Sequence, residues 1–239
     1  EFADDINEVI ARARAAGVTR ILLPNINRDT VRPMLALCQA HPGYLFPMMG
    51  LHPEDVAADY SAVLYDNRNG LPTSEANAVV ETDEGFIWVG NYSGLIRYDG
   101  NSFERVDSAT GIASVISLYE DSRRRLWAGT NDGGAVMWDG GSIRGYNKDD
   151  GLRSLSVRAI TEAEDGIIYL GTTEGVAWIG GDMRLHLVDD PVIRECFVDS
   201  LCAGTGNVVY GLTKAGELFT LAGGTLMELY HPHDLGIAG

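Results

Sequence analysis

Five histidines, three cysteines and a few clustered charges carry whatever reaction chemistry this chain of 239 residues can perform. His41 and His52 each follow an apolar stretch and precede a proline, the setting of a loop or strand-end histidine. His231-Pro232-His233 brings two imidazoles together, but a metal ion needs further ligands converging on it, so an ordinary loop is expected there. Cys38, Cys196 and Cys202 form neither a CxxC pair nor a zinc spacing and read as small buried apolar residues. Arg123-Arg124-Arg125 falls where a hairpin turn is expected and reads as a solvated tip, with contact to an anionic ligand as the alternative. Asp149-Asp150 and Asp189-Asp190 sit in turns and lack a partner carboxylate at the fixed separation that acid–base work on a glycosidic bond requires. These residue types assign no catalytic residue, no metal ligand and no cofactor, and they leave the ligand-binding residues open.

Bulk properties narrow the field. With 34 acidic against 18 basic side chains the formal net charge is −16, which argues against nucleic-acid binding through a broad basic face. No apolar run approaches the ~18 residues of a membrane helix, so membrane attachment would need segments outside this sequence. Apolar residues make up 45%, enough for a core, and 29 glycines favour turn-rich β structure over a helical bundle.

The elements that must position any site fall into two dissimilar stretches. In residues 1–64, Ile6, Val9, Ile10 and Ala13 have helical spacing behind Asp4 and Asp5 as caps, and Gly17 supplies a stop. A buried strand over Val18–Ile26 contains Ile21-Leu22-Leu23. A second helix from Asp29 or Thr30 tolerates Pro33 in its first turn and turns Leu35 and Cys38 inward. A further buried strand spans Tyr44–Leu51. Helix, strand, helix, strand is the grammar of a parallel α/β sheet or barrel.

Residues 65–239 hold a repeat instead. Trp88, Trp127, Tyr169 and Tyr210 are spaced by 39, 42 and 41 residues, and Gly90, Gly129 and Gly171 follow the first three by two positions. In the last copy the glycine, Gly211, comes one position early. Glycine-led strands start at Gly94, Gly134 and Gly175, and more loosely at Gly216. Four short strands in each ~40-residue unit predict about four β-propeller blades, near 70–107, 111–148, 151–189 and 192–231. The recurrent aromatics are expected to pack between blades, and the glycines at 94, 134 and 175 to permit tight turns or close blade approach. The fold expected is mainly β: four four-stranded blades preceded by a short, partial β/α-barrel-like segment.

The unit GLPTSEANAVVETDEGFIWVGNYSGLIRYDG at residues 70–100, with LWAGTNDGG in copy two and YLGTTEG in copy three, resembles the two-component regulator propeller family. The fourth copy departs from its pattern. That resemblance implies an extracytoplasmic, non-catalytic sensor of a small polar ligand, including carbohydrate, in a protein whose output is a histidine kinase or diguanylate cyclase. Residues 1–64 are similar to a different family, the TatD-type metal-dependent deoxyribonucleases, through Ala15–Pro24, Ala40-His41-Pro42-Gly43 and Gly50-Leu51-His52-Pro53-Glu54. The resemblance implies that His52 matches a family motif, that a His-x-His metal pair would lie before Glu1, and that later ligands would lie where this chain has turned into propeller. The expectation is therefore an inactive hydrolase-like segment joined near Tyr60–Tyr65 to a sensor propeller. The chain begins without Met or leader and stops in what resembles a fifth repeat, so a piece at both ends is expected, as in a chimera. Two other readings remain: a metal-dependent nuclease, and a purely structural or protein-binding propeller. Self-association through open blade edges is expected of an unclosed array.

Overall fold

The computed structural model describes residues 6–24, 28–48, 63–68, 70–73, 75–106 and 112–232; His52, His233 and the helix-capping Asp4 and Asp5 lie outside them. Contacts divide the chain into two units, Glu1–Leu64 and Tyr65–Gly239.

In the first unit, α1 (Ile6–Ala15) ends as its spacing predicts, with Gly17 at φ +86° and the Val18 N–H bonded back to the Ala13 carbonyl. Strands β1 (Ile21–Pro24) and β2 (Leu45–Met48) pair in parallel, Ile21 opposite Leu45, with α2 (Arg28–Ala40) between them in sequence. Parallel strands need such a crossover, and the helix supplies it. Ile10, Met34, Cys38, Tyr44 and Leu45 form the core. Three expectations are corrected. Strand β1 is buried on one side only: Ile21 and Leu23 pack on the core while Leu22 is 60% exposed. Met34, one turn before Cys38, takes the inner position expected of Leu35, because residues four apart share a helix face and residues three apart here straddle its edge. The helix also starts early enough that Pro33 stands inside it rather than in its first turn.

The described residues of the second unit form four four-stranded antiparallel sheets, each built from consecutive strands. The first holds β3 (Ala78–Glu81), β4 (Ile87–Asn91), β5 (Gly94–Tyr98) and β6 (Phe103–Arg105); the second holds β7 (Val115–Glu120), β8 (Leu126–Thr130), β9 (Ala135–Trp138) and β10 (Ile143–Tyr146). The third holds β11 (Val157–Glu162), β12 (Ile168–Thr172), β13 (Gly175–Ile179) and β14 (Leu185–Leu187), and the fourth β15 (Val198–Ala203), β16 (Val209–Thr213), β17 (Leu218–Ala222) and β18 (Thr225–Tyr230). The first strands of successive sheets, β3, β7, β11 and β15, pack side by side. This is the blade arrangement of a propeller, and the fold is mainly β.

The core lies between sheets. Trp88 packs with Val115, Leu126 and Ala128 of the next sheet, Trp127 with Val157, Ile168 and Leu170, and Tyr169 with Val198, Val209 and Phe219. Gly90, Gly129 and Gly171 let the backbones approach: a Cβ there would come within 3.0 Å of Val115, Val157 or Val198. Gly134 serves both uses expected of its class, with φ +85° in the hairpin and no room for a Cβ against the Tyr146 carbonyl. The fourth sheet differs. Its aromatic, Tyr210, is 45% exposed, and Leu212, 40% exposed, stands where the other sheets have glycine. Gly211 instead makes room for the Phe219 ring of its own sheet.

The same uncovered face corrects the reading of the cysteines. Cys38 is buried, Cys196 is half-buried, and Cys202 is exposed because it pairs across the ladder with Tyr210.

Candidate functional site

The site begins with an irregularity in the innermost strands. Between Val115 and Ser117, Val157 and Ala159, and Val198 and Ser200, the register with the second strand shifts by one residue. Each shift is a β-bulge, which leaves one residue out of the ladder and re-aims its side chain. The residues passed over are Ile116, Arg158 and Asp199. Asn77, just before β3, holds the equivalent place in the first sheet, its N–H bonded to the Gly90 carbonyl at 2.8 Å.

These four equivalent residues, one per sheet, line a single cavity of about 280 Å³ together with Tyr92, which follows β4. The valines preceding three of them are fully buried and pin the strands. The Asn77 side-chain amide donates to the Val115 carbonyl at 3.0 Å, across to the second sheet. The Arg158 guanidinium lies over the Phe197 ring, 5.6 Å from its centre, and the Lys214 ammonium reaches the same ring at 4.9 Å. The lining therefore offers a cation, an anion, an amide, a phenol with 58% of its residue exposed, and one aliphatic wall. Such a set orients a small polar molecule by charge and hydrogen bonding.

A second cleft, between the first and second sheets, is lined by Trp88, Trp138, Arg97, Glu120 and Arg124 among others. Its polar groups are already engaged. Arg97 pairs with Glu104 at 2.5 Å, Arg124 with Asp83 at 3.0 Å, and the Glu120 carboxylate accepts the Asp83 N–H at 2.8 Å. Trp88 and Trp138 meet edge to face at 4.9 Å. This cleft is a packing seam: Arg124 and Glu120 join the second sheet to the Asp83 turn of the first, while Arg97 and Glu104 pair across strands of the first sheet itself.

Most residues singled out for chemistry have structural work. Arg125 is not solvated: it pairs at 2.6 Å with the fully buried carboxylate of Asp121, which also accepts the Trp127 indole N–H at 2.8 Å. The expectation of a solvated arginine tip fails there because the tip folds back onto a buried acid. Arg124, at φ 60°, reaches the neighbouring sheet's Asp83. Asp150 completes a capping box with Asn147, Asp190 accepts the Val192 N–H, and His231 pairs with Glu217 at 3.0 Å. Burial pushes the Tyr169 phenol up from its ordinary value, and its oxygen accepts the Gly224 N–H at 2.9 Å. Among the described residues no group of three His, Cys, Asp or Glu side chains could hold a metal ion. The cavity-lining residues at the bulges escape the sequence reading because they share no type; the usable signal is the recurrent Val-x-Ser or Val-x-Ala at 115–117, 157–159 and 198–200.

Comparison with known proteins divides along the chain. Residues 1–85 match the TatD related DNase family, and residues 111–132 match the two component regulator propeller. The nuclease match extends past Leu64 into β3, which in this structure pairs with β4. A 3'-5' ssDNA/RNA exonuclease TatD of Pantoea sp. (strain At-9b) is 37% identical over 75 residues, 31% of this chain and 28% of the relative. The extracellular domain of a hybrid two-component system from B. thetaiotaomicron is similar with a TM-score of 0.58 and 19% identity, over 74% of this chain and 24% of that one. A virginiamycin B lyase from Staphylococcus aureus gives 0.54 and 16% over 67% of this chain and 57% of the lyase. The chain thus spans little more than a quarter of the curated nuclease relative and about a quarter of that extracellular domain. The solved structures speak to the fold alone.

Proposed function

We propose that the propeller is the ligand-sensing, non-catalytic part of an extracytoplasmic two-component-type signalling protein, and that the cavity at the three bulges and Asn77 is its binding site. One observation carries this reading. Positions that hold the blades together repeat from copy to copy, whereas the bulge position carries Asn77, Ile116, Arg158 and Asp199, four chemistries facing one cavity. The ligand class that suits the lining is a small carbohydrate bearing a carboxylate, with Arg158 for the acid, Asp199 and Asn77 for hydroxyls and Tyr92 for a ring face. Calorimetry of the full chain against acidic and neutral sugars checks it. Arg158→Gln should weaken an acidic ligand at least about tenfold and leave the melting temperature unchanged. Acidic sugars that bind no better than neutral ones, or equally well to Arg158→Gln, would overturn the assignment.

The nuclease-family match over residues 1–85 favours a second reading, metal-dependent cleavage of single-stranded DNA. Under the sensing proposal the full chain leaves such DNA intact with magnesium, manganese or zinc. Metal-dependent trimming that chelation abolishes would instead make the N-terminal unit an enzyme.

A further inference from the structure

Phe197 is the one ring among the described residues that two cations share. The Arg158 guanidinium lies 5.6 Å from its centre and the Lys214 ammonium 4.9 Å. Phe197 stands where the two preceding sheets hold a serine: Ser114 and Ser156, like it, directly precede the valine before the bulge. Lys214 directly follows β16, as Tyr92 follows β4, Asn131 follows β8 and Thr173 follows β12. The Lys214 N–H bonds to the Phe197 carbonyl at 2.8 Å, and those of Asn131 and Thr173 bond to the Ser114 and Ser156 carbonyls at 2.9 and 3.2 Å. The bulge residue and the residue after the second strand are thus two tiers of one repeated backbone frame. Tyr92 shows that the second tier reaches the cavity.

The two charges on Phe197 have no counter-charge. Elsewhere in the propeller Arg97, Arg124, Arg125 and Arg153 each pair with a carboxylate. Arg158 and Lys214 pair with none among the described residues, in a chain with 34 acids against 18 bases. Acids stand close by. Asp199 shares the cavity with Arg158, and Glu195 and Glu217 line a hollow with Lys214, where Glu217 is taken by His231 at 3.0 Å and the Thr213 hydroxyl at 3.2 Å. A ring steadies a cation through the negative face of its π system and leaves the strong charge-assisted hydrogen bonds of that cation unmade. Phe197 therefore holds two cations beside each other with their donors available to an anion.

We propose that Lys214 is the second cation of the binding site, that Phe197 positions it beside Arg158, and that the ligand is a sugar carrying two acid groups. The inference rests on the sensing reading and narrows its ligand class. A sugar with one acid group answers one of the two neighbouring like charges and leaves the other without a partner.

Calorimetry of the full chain with glucuronic acid and with glucuronic acid 1-phosphate tests this, since the second sugar adds an acid group across the ring oxygen from the first. The expected result is that the diacid binds at least about tenfold more tightly than the monoacid. Lys214→Gln should abolish that gain while leaving glucuronic acid within about twofold of wild type. Phe197→Leu, which removes the ring from both cations, should weaken both sugars, and Phe197→Tyr should keep each within about threefold. Lys214 is exposed, and melting temperatures verify that each variant keeps its fold. Glucuronic acid that binds through Arg158 with no gain from the phosphate, or a gain that survives Lys214→Gln, would overturn this inference and leave the sensing reading standing. Equal losses in Phe197→Leu and Phe197→Tyr would overturn the positioning role of the ring. If neither sugar binds, both readings fall together.

Discussion

Asp121, Arg125 and Trp127 form a small polar system in which a fully buried carboxylate is held by a guanidinium and an indole N–H. Trp127→Phe keeps most of the packing but removes one donor, and the loss should cost about 1–3 kcal/mol, read as a lower melting temperature. The exposed turn aspartates titrate usefully. Asp139 is held below the ordinary carboxylate range by the N–H groups of Ser142 and Gly141, and Asp99 by those of Ser102 and Asn101. A depressed folded-state value stabilises the fold above the unfolded value near ~3.9 and is lost as pH falls through the folded one. Asp139→Asn should therefore melt below wild type at pH 5, with the gap narrowing as pH falls below the unfolded value. At Gly134, alanine meets both a positive φ and the Tyr146 carbonyl, and melting should drop by the equivalent of about 2 kcal/mol or more.

Strand and sheet explain what could be read in advance. The aromatic–glycine repeat announced the blades because the same contact recurs between sheets and demands the same residue types each time. Trp127 and Tyr169 are fully buried as that reasoning requires. Tyr210 occupies the equivalent place but faces no further sheet among the described residues, so position in the repeat does not by itself determine burial. Tyr169→Ala should accordingly cost about 3–5 kcal/mol, and Tyr210→Ala under about 1 kcal/mol in dilute monomer, a contrast that urea titration resolves. The bulge residues stayed hidden for the opposite reason: a side chain freed from the ladder is freed from the composition rules that make strands legible. Arg125 was misread because nothing in a run of three arginines shows which one turns back onto a buried acid. Leu35 and Met34 exchanged roles over a single residue of helix phase.

At the scale of the molecule, the chain carries likeness to two unrelated families on separate stretches, and a formal charge of −16. Like-charged copies repel, and the Debye length falls from ~30 Å at 0.01 M salt to ~10 Å at 0.1 M. Self-association should therefore strengthen as salt rises, the reverse of what an interface held mainly by ion pairs would show; sedimentation across that range decides it. Under the sensing proposal, the bulges bear on how the binding surface can change. Each inserts one residue after a fully buried valine, so its side chain answers to the cavity more than to the core. The three inserted residues, with Asn77 beside them, act as letters that can be rewritten one at a time, with the scaffold unaware of the spelling. Specificity and stability are then inherited separately, and a new ligand can be acquired without refolding anything.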